Sequence, residues 1–172
     1  MEVILVLANI RSAYNVGAIL RTAEGLGVRK IIFAGYTPMP ETESPESRTL
    51  PHVAAKLSRQ IKKTALGAEQ FLDKQYIEDL PNYLEMQKNQ GYKIIGLENN
   101  LTDNRLKRLN EPELKNSLGN KIVLVLGEEV YGIEQTLYPL MDYFLEIPMR
   151  GHKESFNVSV ATGIALYQLL VD

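Results

Sequence analysis

Cysteine is absent from the 172-residue chain, which excludes disulfides, thiolate zinc sites and a cysteine nucleophile together. Histidine is scarce: His52 and His152 are too few and too scattered to form a metal cluster. An excess of positive charge is also missing. Lys and Arg number 19 against 21 Asp and Glu, a net charge of -2, which suits poorly a protein that grips nucleic acid by charge alone. The first apolar run, Met1 to Leu7, lacks a basic start and is far too short to span a membrane. No G-x-S-x-G, G-x-x-x-x-G-K-[ST] or G-x-G-x-x-G occurs, which argues against hydrolase, nucleotide-triphosphatase and ordinary Rossmann dehydrogenase readings. With 45% hydrophobic and 23% charged residues and no linker or repeat, the chain reads as one domain over 1–172 with a sizeable core. Its expected location is intracellular, in the cytoplasm, with neither membrane nor metal as partner.

What is present concentrates near the C-terminus. The stretch from Ile147 to Ala161 runs out of an apolar segment (Tyr143 to Ile147), through a polar loop, and into a helix. Ser155 and Asn157 stand where that helix begins, and both residue types cap exposed N–H groups well. The helix, about Asn157 to Val171, is apolar on nearly every side, which calls for burial all round, if necessary against a second subunit. A capped core helix behind a turn is the plain alternative to a ligand loop at a helix N-terminus.

The chain in order suggests α/β organisation. Val3 to Ala8 is a continuous apolar run of the kind found in buried parallel strands. A polar loop follows, then a helix from about Val16 to Gly25, with Val16, Ile19, Leu20 and Ala23 on one stripe and Asn15 at the cap position. Arg21 lies off the stripe; it is either a surface residue near Glu24 or one that reaches back past Gly17 toward the Asn15 loop. Lys30 to Ala34 completes a β-α-β unit. Gly35 to Pro51, with four prolines, reads as a loop, His52 to Lys63 as a basic helix, and Thr64 to Leu72 as a turn with a short strand. A helix spans Leu80 to Gln90, and strands Tyr92 to Leu97 and Lys121 to Leu126. Lys56, Arg59, Lys62 and Lys63, with Arg11, Arg150, His152 and Lys153 in loops, are candidates for a local basic patch, or simply solvated faces.

Parallel sheets bind ligands beyond the carboxyl ends of their strands. Glu98, Gly127, Glu129 and the 147–157 loop fall there. Glu128 and Glu129 are adjacent, so the sequence favours one inward carboxylate over a two-carboxylate site.

Three segments together resemble the SpoU/TrmH family of the SPOUT superfamily, RNA methyltransferases that use S-adenosylmethionine. Asn15 to Ala23 resembles N-x-G-A-x-x-R-T-A, Leu124 to Ile133 resembles L-V-x-G-[SN]-E-G-x-G-[IL], and Ile147-Pro148-Met149 with Ser155 to Ala161 resembles I-P-M followed by S-L-N-V-S-x-A. Glu128, Val130 and Phe156 depart from the pattern, at positions that bear on substrate choice more than on reaction. Val130 is expected to narrow the loop, and Glu128 to add negative charge beside an RNA site.

The resemblance implies a mostly parallel sheet flanked by helices with a C-terminal deep trefoil knot, a homodimer joined near the last helix, and S-adenosyl-L-methionine as cofactor. It implies that Leu97, Glu98, Gly127, Ile147, Met149, Ser155 and Asn157 hold the cofactor. It points to Arg21 as the central catalytic residue, with Asn15, Glu129, Ser155 and Asn157 around it, and to transfer of a methyl group to a ribose 2′-hydroxyl. A guanidinium stays protonated, so Arg21 is expected to bind phosphate and stabilise developing alkoxide charge while Glu129 fixes its orientation. The chain is expected to carry no added RNA-binding domain, which favours a compact target, tRNA over rRNA. The alternatives are an inactive RNA-binding or assembly protein with the same fold, or a methyltransferase acting on a non-RNA substrate.

Overall fold

A computed structural model describes residues 1–40 and 50–171 of the chain. The elements in order are β1 (Glu2–Ala8), α1 (Ala13–Gly25), β2 (Lys30–Ala34), α2 (Pro51–Ala65), β3 (Asp73–Ile77), α3 (Leu80–Asn89), β4 (Lys93–Leu97), β5 (Leu106–Arg108), α4 (Leu114–Leu118), β6 (Lys121–Leu126), β7 (Tyr143–Glu146) and α5 (Val158–Leu170), with short 3-10 turns at Ala68–Phe71 and Gln135–Leu140. The seven strands form one sheet in the order β3-β2-β1-β6-β4-β7-β5, and every pairing is parallel.

Side chains alternate across a strand, and the apolar runs exploit both faces. Val3, Leu5 and Leu7 of β1, with Ile122, Leu124 and Leu126 of β6, join the core shared with Val16, Ile19 and Leu20 of α1, Ile61 of α2, and Leu166 and Leu169 of α5. Ile4 and Val6, with Val123 and Val125, face the other way onto Leu80 and Leu84 of α3 and Leu137 of the second 3-10 turn. Strands buried on both faces need no polar alternation, which is why these runs are so plain in the sequence.

Register positions the site. Leu7 is level with Leu126, Leu126 with Leu97, and Leu97 with Leu145. The segments that follow these four residues therefore leave the sheet side by side.

Several expectations need correction. Helix α1 starts at Ala13, and its cap is Ser12, whose hydroxyl accepts from the Asn15 N–H at 3.3 Å, so Asn15 lies inside the first turn and is not the cap. Gly17 opens no path for Arg21. It is buried against α2, where an added Cβ would stand 2.1 Å from Thr64 Oγ1 and 2.2 Å from the Ile61 carbonyl oxygen. The short strand placed within 64–72 is instead the end of α2 and a 3-10 turn, and β3 begins at Asp73. The loop expected over Gly35 to Pro51 ends at α2, and its residues 41–49 lie outside the described ones. No described helix is long and apolar enough to cross a membrane.

Candidate active site

The four segments beyond β1, β4, β6 and β7 are fastened to one another by side chains. Beyond β6, Glu128 and Gly132 exchange backbone hydrogen bonds of 2.9 Å each, closing a tight hairpin. Two glycines permit it. A Cβ on Gly127 would meet the Gly132 carbonyl carbon at 2.2 Å, and one on Gly132, whose φ is +72°, would meet Glu98 Oε2 at 2.1 Å. Glu98 spans the gap from β4 by accepting the Ile133 N–H at 2.8 Å. Burial pushes its carboxyl above the ordinary range, against the opposing pull of the Ile133 and Asn99 N–H groups.

Glu129 ties the hairpin to the segment after β1. Its Oε2 accepts the Arg11 N–H at 3.1 Å, and its Oε1 accepts the Ser12 N–H at 3.2 Å and the Asn15 side-chain amide at 3.1 Å. Burial alone would raise this carboxyl, but these donors and its own N–H together hold it below its ordinary value. Asn15 in turn accepts from the Asn157 amide at 3.2 Å. Asn157 caps α5, accepting from the Ser159 N–H at 2.9 Å. Asn157 thus takes the cap role and also lines the pocket, while Ser155 does not cap the helix.

Asn99, which the sequence does not single out, fastens the fourth segment. Its amide oxygen accepts the Ile147 N–H at 3.1 Å while its amide nitrogen donates to the Ile147 carbonyl at 3.0 Å and the Glu154 carbonyl at 3.3 Å. The signal available was its place directly after a buried strand.

Glu128 and Glu129 do point apart, but the charge expected from Glu128 is not offered to solvent. Glu128 is buried, its Oε2 accepts the Tyr131 and Val130 N–H groups at 2.7 and 3.1 Å, and its Oε1 lies 2.9 Å from Arg11 Nε. Val130 stands exposed at the hairpin tip while its backbone borders the opening.

These segments surround a pocket of about 390 Å³. Among the residues named from the sequence, Leu97, Glu98, Gly127, Glu129, Ile147, Ser155 and Asn157 line it. Asn15 touches it through Glu129 and Asn157. Met149 is not part of the lining. Arg21 stands exposed on α1, outside the lining, and no described hydrogen bond or ion pair joins it to Glu129, whose oxygens are committed to Arg11, Ser12 and Asn15.

A parallel α/β protein with its pocket at the carboxyl ends of the central strands is thus the class that fold and site define. The SpoU rRNA Methylase family matches residues 2–167, and the chain belongs to that family. The 23S rRNA (guanosine-2'-O-)-methyltransferase RlmB of Pseudomonas aeruginosa is 29% identical over 170 residues, covering 99% of this chain and 59% of that protein. Among solved structures, the AdoMet-bound rRNA methyltransferase from Sinorhizobium meliloti superposes with a TM-score of 0.76 at 21% identity over 98% of this chain and 55% of that one. A structure described as giving insight into the 2-OH methylation of C/U34 on tRNA superposes with a TM-score of 0.72 at 21% identity, covering 98% of this chain and 93% of that chain. The chain spans 58% to 62% of the length of the curated relatives it matches.

The family's methyl donor is S-adenosylmethionine, which relatives hold in their structures. The pocket suits it. Leu97, Leu126, Ile147, Val158 and Ala161 offer apolar surface for a ring, and Glu98 and Glu129 also line the opening.

Proposed function

We propose that this chain transfers a methyl group from S-adenosylmethionine to a ribose 2′-hydroxyl of RNA, tRNA in preference to rRNA. The observation that carries the reading is the Asn157–Asn15–Glu129 relay at the mouth of a pocket suited to the cofactor. The bound cofactor supplies a sulfonium methyl that is already electrophilic, so the protein's task is alignment and help with one proton. Positioning of this kind is worth roughly 7–11 kcal/mol in ideal intramolecular cases.

In this reading Leu97, Glu98, Gly127, Ile147, Ser155 and Asn157 hold the cofactor, with Met149 contributing from the loop beside them. Glu129, ionised at neutral pH, fixes the Arg11–Ser12 turn and, through Asn15, the start of α5. Arg21 binds a neighbouring phosphate and stabilises the developing alkoxide as the 2′-hydroxyl releases its proton to water. Because Arg21 stands outside the pocket of its own copy, a homodimer is the arrangement that sets it facing one. A stripe on the outer face of α5, Val160 (49% exposed), Ile164 and Tyr167 (60% exposed), supports that dimer, and α1, which carries Arg21, packs beside α5. The position of β4 between β6 and β7, both later in the chain, supports a C-terminal trefoil knot.

RNA as substrate is supported by charge placement. Helix α2 carries Lys56, Arg59, Lys62 and Lys63, all exposed, and no acidic residue, so the cationic surface missing from the chain as a whole exists locally. The preference for tRNA leans on the likeness in fold to the structure described for C/U34 of tRNA.

The test is transfer from labelled S-adenosylmethionine to unmodified tRNA and rRNA fractions, with nucleoside mass spectrometry. A 2′-O-methylnucleoside that disappears with Arg21→Ala is expected. Cofactor binding without transfer to either fraction would overturn the reaction, and near-normal turnover by Arg21→Lys would reject a bidentate role for the guanidinium. Mixed dimers of Arg21→Ala with Asn157→Ala should regain part of the activity if arginine and pocket come from different copies.

A further inference from the structure

Glu128 is an expensive residue to bury. Its side chain is 4% exposed, whereas that of its partner Arg11 is 62% exposed, and a carboxylate taken from water needs full compensation. Its Oε2 accepts the Tyr131 and Val130 N–H groups, while its Oε1 has an ion-pair contact of 2.9 Å with Arg11 Nε and accepts no hydrogen bond among the described residues. One buried carboxylate thereby fixes two exposed features together. On one side, the Arg11 guanidinium carbon lies 5.8 Å from the centre of the Tyr36 ring. Tyr36 is itself held near the end of β1, its N–H donating to Asn9 Oδ1 at 3.3 Å, and is 54% exposed. On the other side is Tyr131, 82% exposed at the tip of the pocket hairpin. No described hydrogen bond or ring contact engages its side chain, so the fold has no evident use for it.

We propose that Arg11, Tyr36 and Tyr131 form a stacking surface for an unpaired nucleobase of the substrate RNA, beside the ribose that is methylated. This inference rests on the function proposed above. Single-stranded RNA is read by stacking splayed bases on aromatic rings and guanidinium planes. Charge decides between a base and a phosphate as occupant. Arg11 is ion-paired with Glu128, which offsets part of its pull on a phosphate, while its planar face and the Tyr36 and Tyr131 rings beside it stand exposed. The exposed cations of α2, for which the described residues show no acidic partner, are the better phosphate contacts. Glu128, a departure from the family pattern, is then the residue that orients Arg11 and the hairpin tip toward the base.

The experiment measures the affinity of a fluorescently labelled pool of unmodified tRNA transcripts by anisotropy at several salt concentrations, and S-adenosylmethionine affinity by calorimetry. Tyr131→Ala should weaken RNA binding ~5- to 150-fold, the range given by base–aromatic stacking, with the salt slope and cofactor affinity unchanged. Tyr131→Phe should stay within about twofold of wild type, because the ring is kept. Unaltered RNA affinity in Tyr131→Ala would overturn the proposal, as would an equal loss in Tyr131→Phe or a shallower salt slope. Wild-type protein that binds the RNA but transfers no methyl would defeat the proposed reaction while leaving this surface testable. Wild-type protein that binds no RNA would defeat both.

Discussion

Asn157 donates its side-chain amide to the amide oxygen of Asn15 at 3.2 Å, across 142 positions of sequence. Asn15 donates in turn to Glu129 at 3.1 Å. The relay locks the segments beyond β1, β6 and β7 to each other, and Asn99, from the segment beyond β4, secures the beginning and the end of the β7 segment, at Ile147 and Glu154.

Because Ser12 caps α1, stability and site geometry are separable in its first turn. Ser12→Ala should cost ~0.5–2 kcal/mol of unfolding free energy, as cap removals do. Asn15→Ala removes two side-chain hydrogen bonds, one of them to a charged group, and should cost ~1.5–3 kcal/mol and, unlike Ser12→Ala, also lower methyl transfer. Urea denaturation beside steady-state kinetics tells the two apart.

Gly132 in the pocket hairpin and Gly25 at the end of α1 should respond to alanine with opposite signs. Gly132→Ala forces a Cβ against Glu98 at a φ of +72°, and should cost ~1–3 kcal/mol along with cofactor affinity. Gly25→Ala meets nothing within 4 Å and should gain ~0.4–1 kcal/mol by restricting the unfolded chain. Thermal denaturation of the pair, with calorimetric cofactor titration, checks both signs.

Glu98 and Glu129 should respond to pH in opposite senses. The Glu129 carboxyl is held below its ordinary 4.5, so its contribution to stability is complete above that value and is lost as pH falls through the folded-state value. The Glu98 carboxyl is raised above 4.5, so folding favours its protonated form, and stability is lost as pH rises from 4.5 through the folded-state value. Between wild type and Glu129→Gln the stability difference should shrink on acidification below about pH 4.5. Glu98→Gln should gain on wild type as pH rises above it. Urea midpoints from pH 3 to 7 provide the comparison.

Removing cations from α2 should act through salt alone. Lys56→Ala with Arg59→Ala deletes two exposed charges, and if both meet phosphates the slope of log K against log salt should fall by about 1.8 for a duplex target. Cofactor affinity should be unaffected. An unchanged slope would place the RNA elsewhere.

How much of this was legible beforehand depended on how local each cause is. The buried strands β1, β2, β4 and β6 announce themselves, because a strand covered on both faces is a continuous apolar run. Strands β3 and β5 lie at the sheet edges with sequences DKQYI and LKR, and their strand character comes from neighbours that no local pattern reveals. Helix α5 lies where the sequence puts it, and of its two cap candidates Asn157 takes the role and Ser155 does not. The cap of α1 was misplaced because Ser12 and Asn15 are both good capping types three residues apart. The pocket residues followed from parallel-sheet geometry and motif resemblance. Their partners did not: Glu129 is committed to residues 114 to 118 positions away, and Gly17 serves the approach of α2, which no helical wheel of α1 discloses.

The row formed by Leu7, Leu126, Leu97 and Leu145 also has a consequence for when the site comes into being. Its fastenings close chain segments of 48, 118 and 142 residues, and contacts so distant in sequence form slowly. A chain still emerging from the ribosome has no site until Asn157 is available. Cofactor affinity is therefore a gauge of completed folding, and a ligand held by all four segments should slow unfolding of the finished protein rather than speed its formation.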